Sequence, residues 1–442
     1  MFNISLTTQS VKAILSKIAF FSLLCFSLST VFYSSPIVGA AKYFSRITLP
    51  IVGILLVITL FSVDRESLKN IIKEFGTFIA PFCPFLFALF ITVLVHFNSI
   101  DLFFFNSRSL ISLIILTSIT FAVLSSYRPF HPTALFWSCT IGIGATVLTL
   151  IYTSYQLSIS ITDLRTSLYP AATIYSRCTA LLAGIVFIGA FFKNIAFRNR
   201  CIFLLFGIVG FFTAIVILKT RSALPSVFFA VLCALFLIFK NTKSGQKKIV
   251  SALCLIVFPA LIFFSISDRM LLGEKEVNNS GNLDHVVKVL EKHEQDLELE
   301  DKEKETLSAL NSSMGGRMAA WAIAKREILS HAFLGTGVGK LDHFLNTKKA
   351  FSVSGNYVQH FHSDYVQCTV IGGLLLLIGL VGTILLLFWK ARSNPLMFFL
   401  ISSMASFGIV ELAFCDKQTL QVFLVSWLLV SLLSQKNCVQ LE

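Results

Sequence analysis

Charged side chains are scarce. Asp, Glu, Lys and Arg make up 13% of the 442 residues, where soluble chains average about 25%. Apolar residues reach 55%, which excludes an ordinary soluble globular protein. Alternating segments of about ten residues, the mark of a membrane β-barrel, are missing. The ten cysteines include no CxxC pair and no zinc spacing. Most lie inside apolar segments, where a thiol acts as a small hydrophobe. The largest polar stretch, 268–364, has none, so no disulfide framework is expected there. No GxxxxGKS/T loop occurs. "LGTGVGK" (334–340) is neither that motif nor a strand-borne GxGxxG, and it is expected as a flexible turn. The first apolar stretch, Ala13–Tyr33, lacks a small-residue cleavage site and is expected to stay as an anchor.

What is present is a succession of long apolar runs. Stretches of about 18 or more recur from end to end, so the chain is expected to be all-α, a polytopic integral membrane protein. About twelve spans are read at 13–33, 47–63, 77–96, 109–127, 133–152, 171–192, 201–218, 222–239, 249–267, 366–388, 395–414 and 419–434. The net charge of +13 invites a nucleic-acid reading, but its distribution fits membrane topology better. Fifteen basic residues collect in the connections on one side, from Lys12 through Arg65, Lys69 and Lys73 to Lys436, against seven on the other. The positive-inside rule then puts both termini in the cytoplasm and 268–364 outside. Residues 1–267 carry nine helices, 268–365 form one large helical outer loop, and 366–442 supply three more helices and a short tail.

The outer loop holds 15 of the 23 acidic residues. "LDHVVKVLEKHEQDLELEDKEKETLSAL" (283–310) is expected as one solvated helix packed through a thin Leu/Val stripe. In "MGGRMAAWAIAKREIL", Gly315 and Gly316 are expected to break the chain. Trp321, Ala324 and Ile328 then share a helix face, with Arg317 in the first turn.

Few ionisable residues remain near the outer boundary. "QHFHSDYVQ" (359–367) sets His360 and His362 where the tenth span begins. Arg221 occupies the short outer turn between the seventh and eighth spans, and Arg165 the outer loop before the sixth. Arg177 lies about two turns into the sixth span, and Glu411 near the outer end of the eleventh is a possible partner. Each has a plain reading: a histidine or arginine at a wet boundary can simply anchor there, and Arg317 can be a surface ion pair. A cation inside a span is costly, however, and points to function. Guanidinium forks bind phosphate oxygens while keeping their charge, and histidine is the usual general base near neutral pH. The outer loops carry no DxD pair for a divalent metal, so arginines would neutralise a diphosphate leaving group instead.

Three motifs carry a family resemblance. "MGGRMAAWAIA" followed by "LGTGVG", "HFHSDYVQCTVIGG" with ten residues between His362 and Gly373, and "KTRSAL" before the eighth span resemble those of bacterial O-antigen ligases. That wider group includes O-antigen polymerases and protein O-oligosaccharyltransferases. Two positions depart from the pattern. Ser363 stands where Asn is usual, and no proline precedes the Gly-rich turn. The resemblance implies that Arg221 and Arg317 engage the donor diphosphate, with Arg165 and Arg177 as further candidates. His362 would be catalytic and His360 would support it. The implied donor is O-antigen on undecaprenyl diphosphate and the implied acceptor a sugar of lipid A–core. The reaction would run at the periplasmic face of the inner membrane, without metal, nucleotide or nucleic acid.

One dominant late outer loop favours a ligase over a polymerase, which usually has two substantial loops. A protein O-oligosaccharyltransferase usually carries a further soluble region after its last span. A transporter of lipid-linked glycans would need ionisable residues and broken helices near the bilayer midplane.

Overall fold

Inside a bilayer every backbone N–H and C=O must find a partner within the protein, which leaves helices as the natural outcome for apolar runs of this length. The computed structural model describes residues 65–96, most of 111–125, 132–161, 163–164, 171–241, 282–295, 297–310, 313–337 and 361–437, with isolated positions between 245 and 271. Among these residues all regular secondary structure is helical, with no strand. In chain order the helices are α1 (Arg65–Ile79), α2 (Cys83–Val95), α3 (Pro132–Leu157), α4 (Ala171–Gly189), α5 (Phe197–Phe212), α6 (Leu224–Asn241), α7 (Leu283–Glu294), α8 (Asp301–Ala309), α9 (Ser313–Ser330), α10 (Asp364–Ala391), α11 (Pro395–Val410) and α12 (Lys417–Asn437). Helical residues between 111 and 125 fall on the expected fourth span.

Among the described residues, six segments are long and apolar enough to cross a membrane: Leu68–Val95, Leu135–Leu157, Ala172–Gly189, Phe197–Ile217, Arg221–Asn241 and Asp364–Ala391. Pro395–Val410 and Thr419–Ser434 are shorter apolar helices. The protein is therefore a multi-pass membrane protein. The expected spans 13–33 and 47–63, and nearly all of 249–267, lie outside the described residues.

Four local expectations need correction. Arg65, Lys69 and Lys73 were expected in a connection but belong to α1. Ile71 and Phe78 are buried there while Lys69 and Lys73 are exposed, the division expected of an amphipathic helix. The stretch 283–310 is two helices rather than one. The chain leaves the helix after Glu294, and Glu303 caps α8 by accepting the Glu300 N–H at 3.0 Å. Lys292 pairs with Glu303 at 2.6 Å and ties α8 back onto α7. Gly315 and Gly316 do not break the chain, because α9 runs through both. A Cβ at Gly315 would strike the Ala309 carbonyl, so the glycine instead permits a close approach. The eleventh span ends as a helix at Val410, which leaves Glu411 in the link to α12.

The core is centred on α4, which packs against α3, α5, α6, α11 and α12. On its flank, α10 packs against α2 and α11. Helices α7 and α9 enclose a second small core of Val286, Leu290, Ala320 and Ile323, closed by Phe361 and Val370 at the start of α10.

Candidate functional site

Successive helices alternate in direction, so the starts of α4, α6 and α10 and the end of α11 gather at one end of the bundle. Arg177 is in the second turn of α4, Glu411 follows α11, and His362 sits two residues before α10. Arg317, one turn into α9, comes from the polar α7–α9 segment. Glu411 joins them. Its Oε1 pairs with Arg317 Nη2, and its Oε2 lies 3.4 Å from His362 Nδ1. Behind it, Arg177 Nη1 donates to the Leu412 carbonyl and Nη2 lies 3.8 Å from Asp416 Oδ2. Three of the seven residues expected from the sequence, Arg317, His362 and Glu411, thus meet directly, and Arg177 braces the loop that begins at Glu411. Arg221 heads a tight turn, Arg221–Ala223, that packs against α4 and α11. Arg165 and His360 lie outside the described residues. Among the described residues, no three of His, Cys, Asp and Glu converge to hold a metal.

The electrostatics of the network centre on Glu411, which is 5% exposed. Burial pushes its carboxyl upward. The His362 hydrogen bond and the Arg317 and Arg177 charges overcome that and hold it down at about 2. Glu411 is therefore a carboxylate at any physiological pH. A carboxylate only accepts, so the proton of a neutral His362 belongs on Nδ1, which leaves Nε2 as the basic nitrogen. The backbone of His362 is left-handed, with φ +53°. A side chain other than glycine is uncommon there, and such strain persists where surrounding contacts enforce it.

Those contacts are visible on both sides of His362. Trp321 Nε1 donates to the Phe361 carbonyl at 2.8 Å, tying α9 to the histidine segment. Ser363 Oγ caps α10 by accepting the Val366 N–H at 3.5 Å, and it donates to the Gly408 carbonyl at 3.1 Å. Ser and Asn are both good N-caps, so the departure from the family pattern keeps the helix start.

Further along α10 the helix breaks at Gly373 (φ 64°, ψ −159°). Broken turns in a spanning helix need substitute partners, and residues 332–337 supply them. The Thr336 and Gly337 N–H groups donate to Val370 and Ile371 at 2.8 and 2.9 Å, and the Leu374 N–H donates to Ala332 at 2.8 Å. Gly335 and Gly373 lie back to back, and a Cβ on either would strike the other strand of chain. The expected flexible turn is thus a docked plug over residues 332–337.

Sequence reasoning missed Asp364. It is fully buried and faces the 411–416 loop. The only local signal was its place after a Ser N-cap, where acidic residues commonly open a helix.

Comparison with known proteins gives one family. Residues 206–381 match the model described as O-antigen ligase. The matched range includes Arg221, Arg317 and His362 but stops short of Glu411 and begins after Arg177. No curated protein matches the chain.

Proposed function

We propose, from the match of residues 206–381 to the O-antigen ligase family model, that the protein is an inner-membrane O-antigen ligase. It transfers O-antigen polysaccharide from undecaprenyl diphosphate to a sugar hydroxyl of lipid A–core at the periplasmic face. The observation that carries this reading is Glu411, which links a phosphate-binding type of side chain, Arg317, to a base, His362.

The chemistry follows from those roles. The acceptor hydroxyl attacks the anomeric carbon of the donor sugar while His362 Nε2 removes its proton. The bond from that carbon to the diphosphate oxygen breaks, with inversion, and undecaprenyl diphosphate leaves. Arg221 and Arg317 hold the diphosphate and offset its growing charge, the task a divalent cation performs elsewhere. Glu411 orients the imidazole and balances the imidazolium that forms. Arg165 is a further candidate for the diphosphate. Arg177 serves the site from behind, through the loop that carries Glu411.

The test is a purified assay with lipid-linked donor and lipid A–core acceptor. Arg221→Ala and Arg317→Ala should each abolish transfer in protein that still inserts. Arg317→Lys should rescue poorly, since an ammonium lacks the planar fork. Full activity of Arg317→Lys would reduce that residue to a generic charge. Loss of activity with EDTA, restored by a divalent cation, would overturn the metal-free mechanism. In cells, loss of the protein should leave core-only lipid A and accumulate lipid-linked polymer. Core bearing one repeat would instead mark a polymerase.

A further inference from the structure

The loop 411–416 carries Glu411, and three of its backbone N–H groups turn onto one side chain. Asp364 Oδ2 accepts the N–H groups of Ala413 and Phe414, both at 2.8 Å, and Oδ1 accepts that of Cys415 at 2.9 Å. Three successive N–H groups turned onto one carboxylate are how a backbone nest holds an anion. They also offset part of the cost that burial puts on a carboxylate. Gly408 makes room, since a Cβ there would lie 2.8 Å from Asp364 Oδ2. On the loop's other flank, Arg177 donates to Leu412 and faces Asp416. The loop is therefore gripped between a carboxylate and a guanidinium, and Glu411 enters the site from its first position. His362 precedes Asp364 by two residues. One short segment thus carries both the base and the anchor of the base's partner.

We propose that Asp364 is a positioning residue for the transfer reaction, fixing the 411–416 loop so that Glu411 meets His362 and Arg317. The proposal rests on the reading of His362 as the base. Asp364 touches neither substrate nor reacting atoms and acts through Glu411. Asparagine tests this closely. Its oxygen can accept from one side of the nest, but its amide group then aims a donor at a donor.

The experiment is steady-state kinetics in bilayer discs on wild type, Asp364→Asn, Glu411→Gln, the double variant and His362→Ala. Asp364→Asn should lower kcat about 10²-fold, the scale of a misplaced catalytic group. Its KM for donor should stay within about twofold, because the arginines remain. The double variant should fall within about twofold of Glu411→Gln alone, since both changes break the same link. Multiplying effects, or a raised KM with unchanged kcat, would overturn the proposal. Hydrogen exchange at residues 413–415 provides an arm that does not need Asp364→Asn to fold. In Glu411→Gln these amides should stay protected, because Asp364 still holds them. Rapid exchange there would mean that Glu411 orders the loop, and the proposal would fail. Full turnover by His362→Ala would sink the base reading alone and leave the exchange result standing.

Discussion

At the scale of residues, the site is one buried carboxylate shared between a cation and an imidazole. Glutamine at 411 keeps the shape of that side chain but not its charge, so it cannot balance an imidazolium. Glu411→Gln should lower kcat about 10²-fold with little change in donor KM; a KM-only effect would make Glu411 a binding residue. Its depressed pKa also has a stability consequence. The unfolded carboxyl titrates near 4.3 and the folded one at about 2. Stabilisation from Glu411 is thus complete above about pH 4.3 and is lost as pH falls towards 2. Thermal melts in detergent should show the gap between wild type and Glu411→Gln closing over that window. A gap independent of pH would mean that shape, not charge, matters there. His362→Ala should lose about 10²–10⁴-fold in turnover while donor binding survives, and His360→Ala should lose less. The reverse order in the same assay would exchange the two roles.

At the scale of elements, α10 is a helix with the candidate site at its start and a docked middle. Its start presents His362, Ser363 and Asp364 to three different partners. Its break at Gly373 receives the 332–337 turn that follows α9. The helix carrying Arg317 is thereby tied to the helix carrying His362 at two places, Phe361 and Gly373. The conformation of Gly373 is one that only glycine adopts readily, so Gly373→Ala should cost about 1–3 kcal/mol and undock the turn. We expect a lower melting temperature and a loss of transfer. Gly76 on α1 has nothing within 4 Å of an added Cβ. Gly76→Ala should be neutral or stabilise by about 0.5–1 kcal/mol. Equal behaviour of the two variants would remove the docking argument.

At the scale of the whole molecule, alternating helices bring distant ionisable residues to one end of the bundle. On the twelve-span topology that end is periplasmic. Reporter fusions near residues 245 and 300 should give opposite signals. The same signal from both would break the span count and the placing of the site outside. The acidic helices α7 and α8 stand beside α9 rather than in the network, and the ion pairs Lys292–Glu303 and Arg326–Glu294 hold them there. They are expected to steady α9 rather than to take part in the chemistry.

Much of this was legible in the chain by itself. The helical membrane class and the positions of most described spans follow from hydropathy, because a bilayer forces each apolar segment to satisfy its own backbone. Arg177 and Glu411 stood out through the cost of burying a charge, and Arg221, Arg317 and His362 through motifs. What hydropathy and motifs left open were the partners. Glu411 meets residues 49 and 94 positions away in the chain, and Asp364 meets a loop some fifty residues on. The same sequence rules misjudged Gly315 and Gly335, reading a break and a flexible turn where glycine serves close contact. Propensity and hydropathy act on neighbours in the chain, whereas a buried carboxylate takes whichever N–H or guanidinium the packing delivers to it. Only the tertiary structure decided that pairing.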